Sequence, residues 1–470
     1  MPKVSRKIVP REYQKIILDL INFHQNKGKS VLLELDCGMG KRVITYKLLT
    51  DLYKSKNIIL LVLSSSSFLE TKQFLIEEYG GVEGFNWLGS GTNTKYAQKL
   101  LSTGRVILST PQKFANILQK SDEHILDRFD IIIINEIDKL VRRMGSKRVL
   151  VYPWPSLLDY FGEKTVIGMS GTLRDSHYVL DREQIELRKE LDTLQEFIPN
   201  TELILMEYLA GTDVNTFTKK TTIDTIAVDD HSISEISSII GQEIKETYKE
   251  IRAELKEIAP EFLAKAREIG PQVYLQAPIT DELRSRAQSL ALLRKYLYSM
   301  IPQQLQKFFW KLPDVDSSAL PVVPQKFKTV AKIAQESEKT VILCSYIKTV
   351  KTIEKILKRL KIKTFRVTGR IFDKNSVLQD FRKFSGQAVL LMSPVGERDI
   401  DLPEAEQLII FDCVRTTKTV YQQLKRIRGG LGRFLYYKDT YEEKKVKAVI
   451  QDILQKYPWS VEIKEENTTD

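Results

Sequence analysis

Residues 31–45 read VLLELDCGMGKRVIT, a strand-length apolar run, a glycine-rich turn and the start of a helix. Gly38 and Gly40 let backbone N–H groups approach a phosphate, and Lys41 adds a point charge at the helix start. A phosphate-binding loop of the form Gly-x-Gly-Lys continues with Ser or Thr, whose hydroxyl holds the Mg²⁺ bridging the nucleotide phosphates. Here that position is Arg42. Further on, IIIINEID (131–138) is an apolar strand ending in acids, with Asn135 where an Asp should supply the second metal contact. Both expected protein ligands of one metal ion have therefore changed. Glu136, next in line, is the candidate to orient or deprotonate the water that attacks a γ-phosphate.

Around these two segments, residues 1–178 alternate short apolar runs with amphipathic stretches. Strands are expected at 31–35, 57–64, 85–89, 105–110, 130–134 and 165–170, with helical periodicity between them, as from Lys41 to Tyr53 and Pro111 to Leu118. Strands apolar on both faces and alternating with helices predict a parallel, doubly wound α/β sheet. The rhythm changes after 179, and 201–229 reads as extended and irregular. Ile236, Ile240, Ile244, Tyr248, Ile251, Leu255 and Ile258 then mark one face of a long helix, and Leu283, Ala287, Leu290, Leu293 and Leu297 mark a second. QQLQKFF (303–309) reads as helix core, and the proline-rich 311–325 as a linker. Strands near 339–345, 363–368, 388–393, 405–412 and 432–438 restore the α/β pattern, with helices at 347–360, 416–428 and 440–457. The expected organisation is a first α/β lobe (1–178), a helical insert and linker (179–325), a second α/β lobe (326–457) and an acidic tail (458–470).

The whole chain bounds its chemistry less sharply. Its 470 residues suffice for about three domains, and 42% apolar with 28% charged residues is ordinary for a globular protein. A net charge of +11 fits either a polyanionic partner, nucleic acid first, or a generally basic protein. Cys37, Cys344 and Cys413 are too scattered for a zinc site or disulfide framework, which points to a reducing, cytoplasmic compartment. The start, MPKVSRKIVPREYQ, lacks the apolar stretch of a signal peptide, and no apolar run reaches membrane-spanning length.

Taken in order, the segments resemble the superfamily 2 helicases, and in particular the Hef/FANCM branch, which carries a helical insert between two RecA-like lobes. PREYQ (10–14) is similar to the adenine-contacting element, with Gln14 as its key residue. STPQ (109–112) resembles the segment that grips the DNA backbone, and GMSGT (168–172) the Ser/Thr-Ala-Ser coupling motif, with Gly171 replacing Ala. In the second lobe ILCSY (342–346) resembles the fourth motif. SPVGERDIDLP (393–403) resembles a motif ending Gly-x-Asp-hydrophobic-Pro, with Asp399 replacing its Gly and Asp401 and Pro403 kept. YQQLKRIRGG (421–430) overlies the Gln-Arg-x-Gly-Arg-x-Gly-Arg helix: Gln422 and Arg426 keep their places, Lys425 replaces a Gly, and Gly429 stands where a second Arg belongs.

The resemblance implies an α/β fold of two RecA-like, P-loop NTPase domains with an inserted helical domain, and an ATP-driven translocase. Gln14, Gly38, Gly40, Lys41, Arg42 and Asp401 would then line the nucleotide site. Glu136 and Gln422 would act in hydrolysis, with Arg426 as an arginine finger. Thr110, Thr368 and Ser393 would hold nucleic-acid phosphates without reading sequence. Lysine-rich clusters at 348–363 and 139–148 are further candidates for nucleic-acid contact.

The departures weigh on hydrolysis more than on binding. Weakening the hold on Mg²⁺ by roughly 3–4 kcal/mol costs on the order of 10²–10³ in rate. Two rescues are open: Arg42 neutralising the phosphates itself, or Glu136 and Asp138 holding Mg²⁺ through water. Three readings follow: a working translocase on forked or branched DNA, an inactive DNA-binding scaffold, or an RNA-directed relative of the RIG-I and Dicer helicases. Archaeal Hef proteins carry a nuclease domain that nothing in these residues resembles, so any nuclease involved is expected as a separate partner chain.

Overall fold

The computed structural model describes residues 8–63, 65–78, 81–120, 123–141, 153–162, 164–181, 184–270, 273–274, 276–309, 320–369, 374–393, 402, 404–413 and 416–464. The chain forms two compact units, 1–218 and 219–470.

In the first unit the apolar runs become strands: β1 Ser30–Glu34, β2 Ile58–Leu61, β3 Phe85–Leu88, β4 Val106–Ser109, β5 Ile131–Asn135 and β6 Thr165–Ser170. β1, β2 and β4 are buried along their whole length, as strands covered by helices on both faces must be. A hairpin of β7 Ser176–Asp181 and β8 Gln184–Lys189 follows, then β9 Thr201–Ile204. The main sheet is parallel throughout, in the order β3-β4-β2-β5-β6-β1-β9. Leu32, Ile59, Ile132 and Ile134 from its strands pack with Phe114, Trp154 and Leu157 from the helices.

Local chemistry fixes the helix ends. Thr110 caps Pro111–Leu118, and Pro111 takes the first helical position, where its missing N–H costs nothing. The helix begun at Lys41 is α-helical only to Lys47 and widens into a π-turn over Leu48–Leu52. Carbonyls at the end of that turn are taken up by Arg105, whose guanidinium donates to Leu49 O (3.0 Å) and Tyr53 O (3.1 Å).

The second unit opens with β10 Thr221–Val228, in the region expected to be irregular. Its sheet continues with β11 Lys339–Leu343, β12 Lys363–Val367, β13 Ala388–Met392, β14 Gln407–Ile410, β15 Leu431–Tyr437 and β16 Val461–Ile463. All pairs are parallel, in the order β12-β13-β11-β14-β15-β10-β16. β10 therefore lies between β15 and β16, and β16 falls inside the stretch expected to be an acidic tail.

The helices His231–Ile258, Glu261–Ile269, Asp281–Ser299 and Pro302–Phe309 leave the sheet after β10 and return before β11. The expected stripes form their core: Ile236, Ile240 and Ile244 pack with Leu290, Leu293 and Leu297, whereas Ile258 is exposed. The mixed charges outside the stripe pair with one another, Arg286 reaching Glu243 (3.1 Å) and Glu250 (3.2 Å). The end of Asp281–Ser299 is bolted to the sheet layer, because Thr349 donates to Ser299 O (2.6 Å) and buried Lys326 to Tyr298 O (3.4 Å). Most of the expected linker, 311–319, lies outside the described residues.

Candidate nucleotide site and nucleic-acid edge

Sheet order brings the first unit's motifs together. β5, β6 and β1 are neighbours, with Asn135 opposite Met169 and Ser170 opposite Glu34, so the loops after these three strands share one edge. In the loop after β1, Gly38 and Gly40 adopt φ of 81° and 83°, left-handed values that favour glycine. A side chain at Gly40 would also collide with Gln14, its Cβ falling 2.4 Å from Nε2. Gln14 is buried and braces the loop: Nε2 donates to Met39 O (3.2 Å), and Oε1 accepts from Arg11 N (3.0 Å). The Tyr13 hydroxyl donates to the same Met39 carbonyl (2.7 Å). Lys41 Nζ lies over the loop, donating to Leu35 O (2.7 Å) and Asp36 O (3.3 Å). A Cβ at Gly171 would stand 3.4 Å from that Nζ, so the coupling segment lies against the lysine.

Arg42 does not face the loop's own carbonyls but pairs with Glu70 on the helix Ser65–Gln73, and both side chains are about half exposed. Asn135 Oδ1 is buried and has no hydrogen-bond partner among the described residues. Glu136 has a φ of 61°, a costly conformation for a non-glycine residue, and pairs with Lys139 (2.6 Å). Asp138 is fully buried and accepts from Ser170 Oγ (2.6 Å), which itself accepts from Thr172 N (3.1 Å). The coupling segment 170–172 is thus tied directly to the acidic segment. These residues fit a phosphate chain, with two left-handed glycines and a lysine. They do not fit a tightly held Mg²⁺, because the expected carboxylate is a neutral amide and the expected hydroxyl is a guanidinium engaged elsewhere.

Thr110 is occupied as the helix cap just described, its hydroxyl accepting from Lys113 N (3.4 Å). In the second unit, β12 and β13 place Thr368 and Ser393 side by side at the strand ends, where Ser393 N donates to Val367 O (3.2 Å). Both residues are buried, and the Ser393 hydroxyl has no partner among the described residues. Gln422 lies on the helix Thr417–Leu424, and Arg426 in the 3₁₀ turn Lys425–Ile427 that feeds β15. Arg426 O accepts from Leu402 N (2.9 Å). Lys425, in place of the family glycine, is buried and gives its ammonium to Lys219 O (2.7 Å), so this substitution anchors the turn. Arg428 is exposed, with a φ of 41°. Asp401 and the basic positions 142–148 lie outside the described residues.

Several supporting residues had no local signal in the sequence. Asp213 accepts from Glu12 N (3.2 Å) and Tyr13 N (2.8 Å), capping the helix that carries Gln14. The Arg11 guanidinium lies 3.6 Å from the ring centre of Phe217. Arg174, just past the coupling segment, reaches back to β1 and binds Glu34 through Nε (2.8 and 2.9 Å) and Nη2 (2.5 Å), and Glu207 through Nη1 (2.5 Å). Burial raises the Glu34 carboxyl above its ordinary range, and Arg174 offsets part of that rise.

Two parallel sheets, one with a phosphate loop after its first strand, define a RecA-like P-loop architecture. Residues 7–175 match the family described as type III restriction enzyme, res subunit, and residues 325–430 match the helicase conserved C-terminal domain. Together the two matched segments mark a superfamily 2 helicase core, and its fold is of the Hef type. Its fold is similar to the helicase domain of Pyrococcus furiosus Hef, at 16% identity and a TM-score of 0.61, covering 94% of this chain and 98% of that one. It is also similar to S. cerevisiae Dbp5 bound to RNA and ADP BeF3, at 13% identity and a TM-score of 0.54, covering 97% and 90%. No curated protein matches it by sequence. Among the described residues no helix is long and apolar enough to cross a membrane.

Proposed function

We propose that this chain binds ATP through the loop 36–42 and binds DNA, forked or branched DNA first, in repair or replication-fork processing, with ATP hydrolysis impaired. The observation that carries this reading is Asn135: its buried, unpartnered Oδ1 stands where an anionic metal ligand is expected. The pairing of Arg42 with Glu70 supports binding, because it keeps the guanidinium from crowding Lys41. Thr368 and Ser393 supply the phosphate grip, and Gln422 and Arg426 act on the nucleotide in whatever turnover remains. No disulfide joins Cys37, Cys344 and Cys413, in keeping with a cytoplasmic setting. A separate nuclease chain is a candidate partner, and affinity purification tests for it.

The test is an ATPase assay with and without Mg²⁺ and DNA, beside nucleotide binding by the same protein. Binding that is lost in Lys41→Ala, with slow turnover, is expected. Robust DNA-stimulated turnover that disappears in Lys41→Ala would overturn the impairment. Competition among forked DNA, duplex DNA and duplex RNA tests the substrate, and preference for duplex RNA would overturn the DNA assignment.

A further inference from the structure

The second unit carries a basic face that the nucleotide-site reading leaves unused. The helix Ile347–Arg359 buries Val350, Ile353 and Leu357. From its other side and the turn beyond it, Lys348, Lys351, Lys355, Lys358, Arg359, Lys361 and Lys363 are all exposed. Across 348–363 these cations meet a single carboxylate, Glu354. That carboxylate is already shared by Lys358 (2.8 Å) and Arg366 (2.6 Å). Among the described residues Lys348, Lys351, Lys355, Arg359, Lys361 and Lys363 therefore have no carboxylate partner.

Such a face differs from a solvated helix surface of the same protein. On His231–Ile258 acids and bases are interspersed, and its Glu243 and Glu250 both pair with Arg286 of the neighbouring helix. Like charges three and four residues apart oppose helix formation, so Lys351, Lys355 and Arg359 in succession are a standing cost with no internal return. The placement also matters. The helix starts just beyond the end of β11, on the strand-end edge where Thr368 and Ser393 lie. It runs back along the sheet to Lys363, the first residue of edge strand β12. Lys348 to Arg359 spans about 17 Å of helix axis, or about five phosphates along one strand of a duplex. Lys363 Nζ lies 5.5 Å from the Phe365 ring centre.

We infer that this face is a second nucleic-acid contact, a phosphate track that receives the duplex or strand beyond the part held at the strand ends. It rests on the proposal that the protein binds nucleic acid. The track recognises backbone charge and not base sequence, since lysines spaced along a helix act as point charges.

The test compares wild type, the reversal Lys348→Glu/Lys351→Glu/Lys355→Glu/Arg359→Glu and the milder fourfold change of the same residues to Gln. Lys245→Gln/Lys249→Gln/Lys256→Gln on the insert serves as control. Binding of a fluorescein-labelled oligothymidylate and of a forked duplex is followed over a salt series. Each lost phosphate contact lowers the slope of log affinity against log salt by about 0.7 for single strands and 0.9 for duplex. The Gln variant is expected to lose about 3–4 from that slope if all four positions touch phosphate, and on the order of tenfold or more in affinity. Its thermal transition stays at or above wild type, and the insert control keeps its slope. A folded Gln variant with the wild-type slope on both probes would overturn the track while leaving nucleic-acid binding intact. Wild type that binds neither probe even at low salt would overturn the nucleic-acid reading itself, and the track with it.

Discussion

Restoring both metal-holding positions, with Arg42→Thr and Asn135→Asp together, should convert a nucleotide binder into an ATPase. Removing Arg42 breaks an ion pair whose partners are about half exposed, which costs about 0–1 kcal/mol. Asn135→Asp puts a carboxylate in place of a buried, unpartnered amide oxygen, beside Glu136 and fully buried Asp138. Without metal, that concentration of charge should destabilise the first unit by about 1–3 kcal/mol. Mg²⁺ with nucleotide relieves the repulsion, so the restored variant gains more from the pair than wild type does, about 2.7 kcal/mol when ligand stands at about 100 times its Kd. In the transition state, recovering roughly 3–4 kcal/mol of metal stabilisation corresponds to a 10²–10³-fold rate increase. Phosphate release with and without Mg²⁺ and single-stranded DNA reads the rate, and thermal unfolding in the same buffers reads metal binding. A double variant that gains the Mg²⁺-dependent thermal shift but hydrolyses no faster would refute the reasoning, because the metal would then not be what limits turnover.

Gly40→Ala should weaken nucleotide binding and lower the thermal midpoint, since the left-handed backbone costs about 1–2 kcal/mol before the contact with Gln14 is counted. Isothermal titration with ATP and a melt check both halves. Arg174→Ala leaves Glu34 buried without its cation and should cost about 3–5 kcal/mol, whereas Arg174→Met with Glu34→Gln should recover much of the loss in urea titrations. Burial raises the Glu442 carboxyl to about 7, with the Lys326 ammonium 2.6 Å away pulling downward and buried Asp412 adding to the rise. Its folded value lies above its unfolded one, so the stability it contributes is complete below about pH 4.5 and is lost as pH climbs through about 7. The loss amounts to about 3 kcal/mol at ~1.36 kcal/mol per unit, and Glu442→Gln should flatten that part of the stability–pH curve.

What the sequence made legible was whatever is local. Runs such as IIIIN, buried on the way into the first sheet, announce a central parallel strand by composition alone. So does the cap at Thr110 followed by Pro111. The stretch holding β10 reads as extended but irregular because TTIDTIAV mixes Thr and Asp among its apolar residues, and the partners that fix its bounds, β15 and β16, lie far away in sequence. The glycine-rich turn after β1 was legible in its sequence, but its bracing was not. Asp213 meets the start of the Gln14 helix from two hundred residues away. Arg42 shows the same limit. Its charge could be read from the sequence, but its direction depends on Glu70, whose position only the folded chain sets. In the motif helix of the second unit, Lys425 looked like damage and turns out to be an anchor for Lys219 and the strand that follows it.

The place of β10 in its sheet has a consequence for how the protein is made. Thr221–Val228 leaves the ribosome long before β15 and β16, the two strands that flank it. Until residues 431–463 emerge, β10 has no neighbours, and the four helices that follow it must form beside an open sheet. The first unit faces no such delay, because its last strand, β9, is complete at Ile204. Translation thus delivers a finished first unit, followed by a long interval in which a β-branched strand stands exposed. Non-local strand pairing of this kind is slow and open to aggregation. Nascent chains arrested between 230 and 430 should therefore engage chaperones far more than chains arrested at about 218, where the first unit ends.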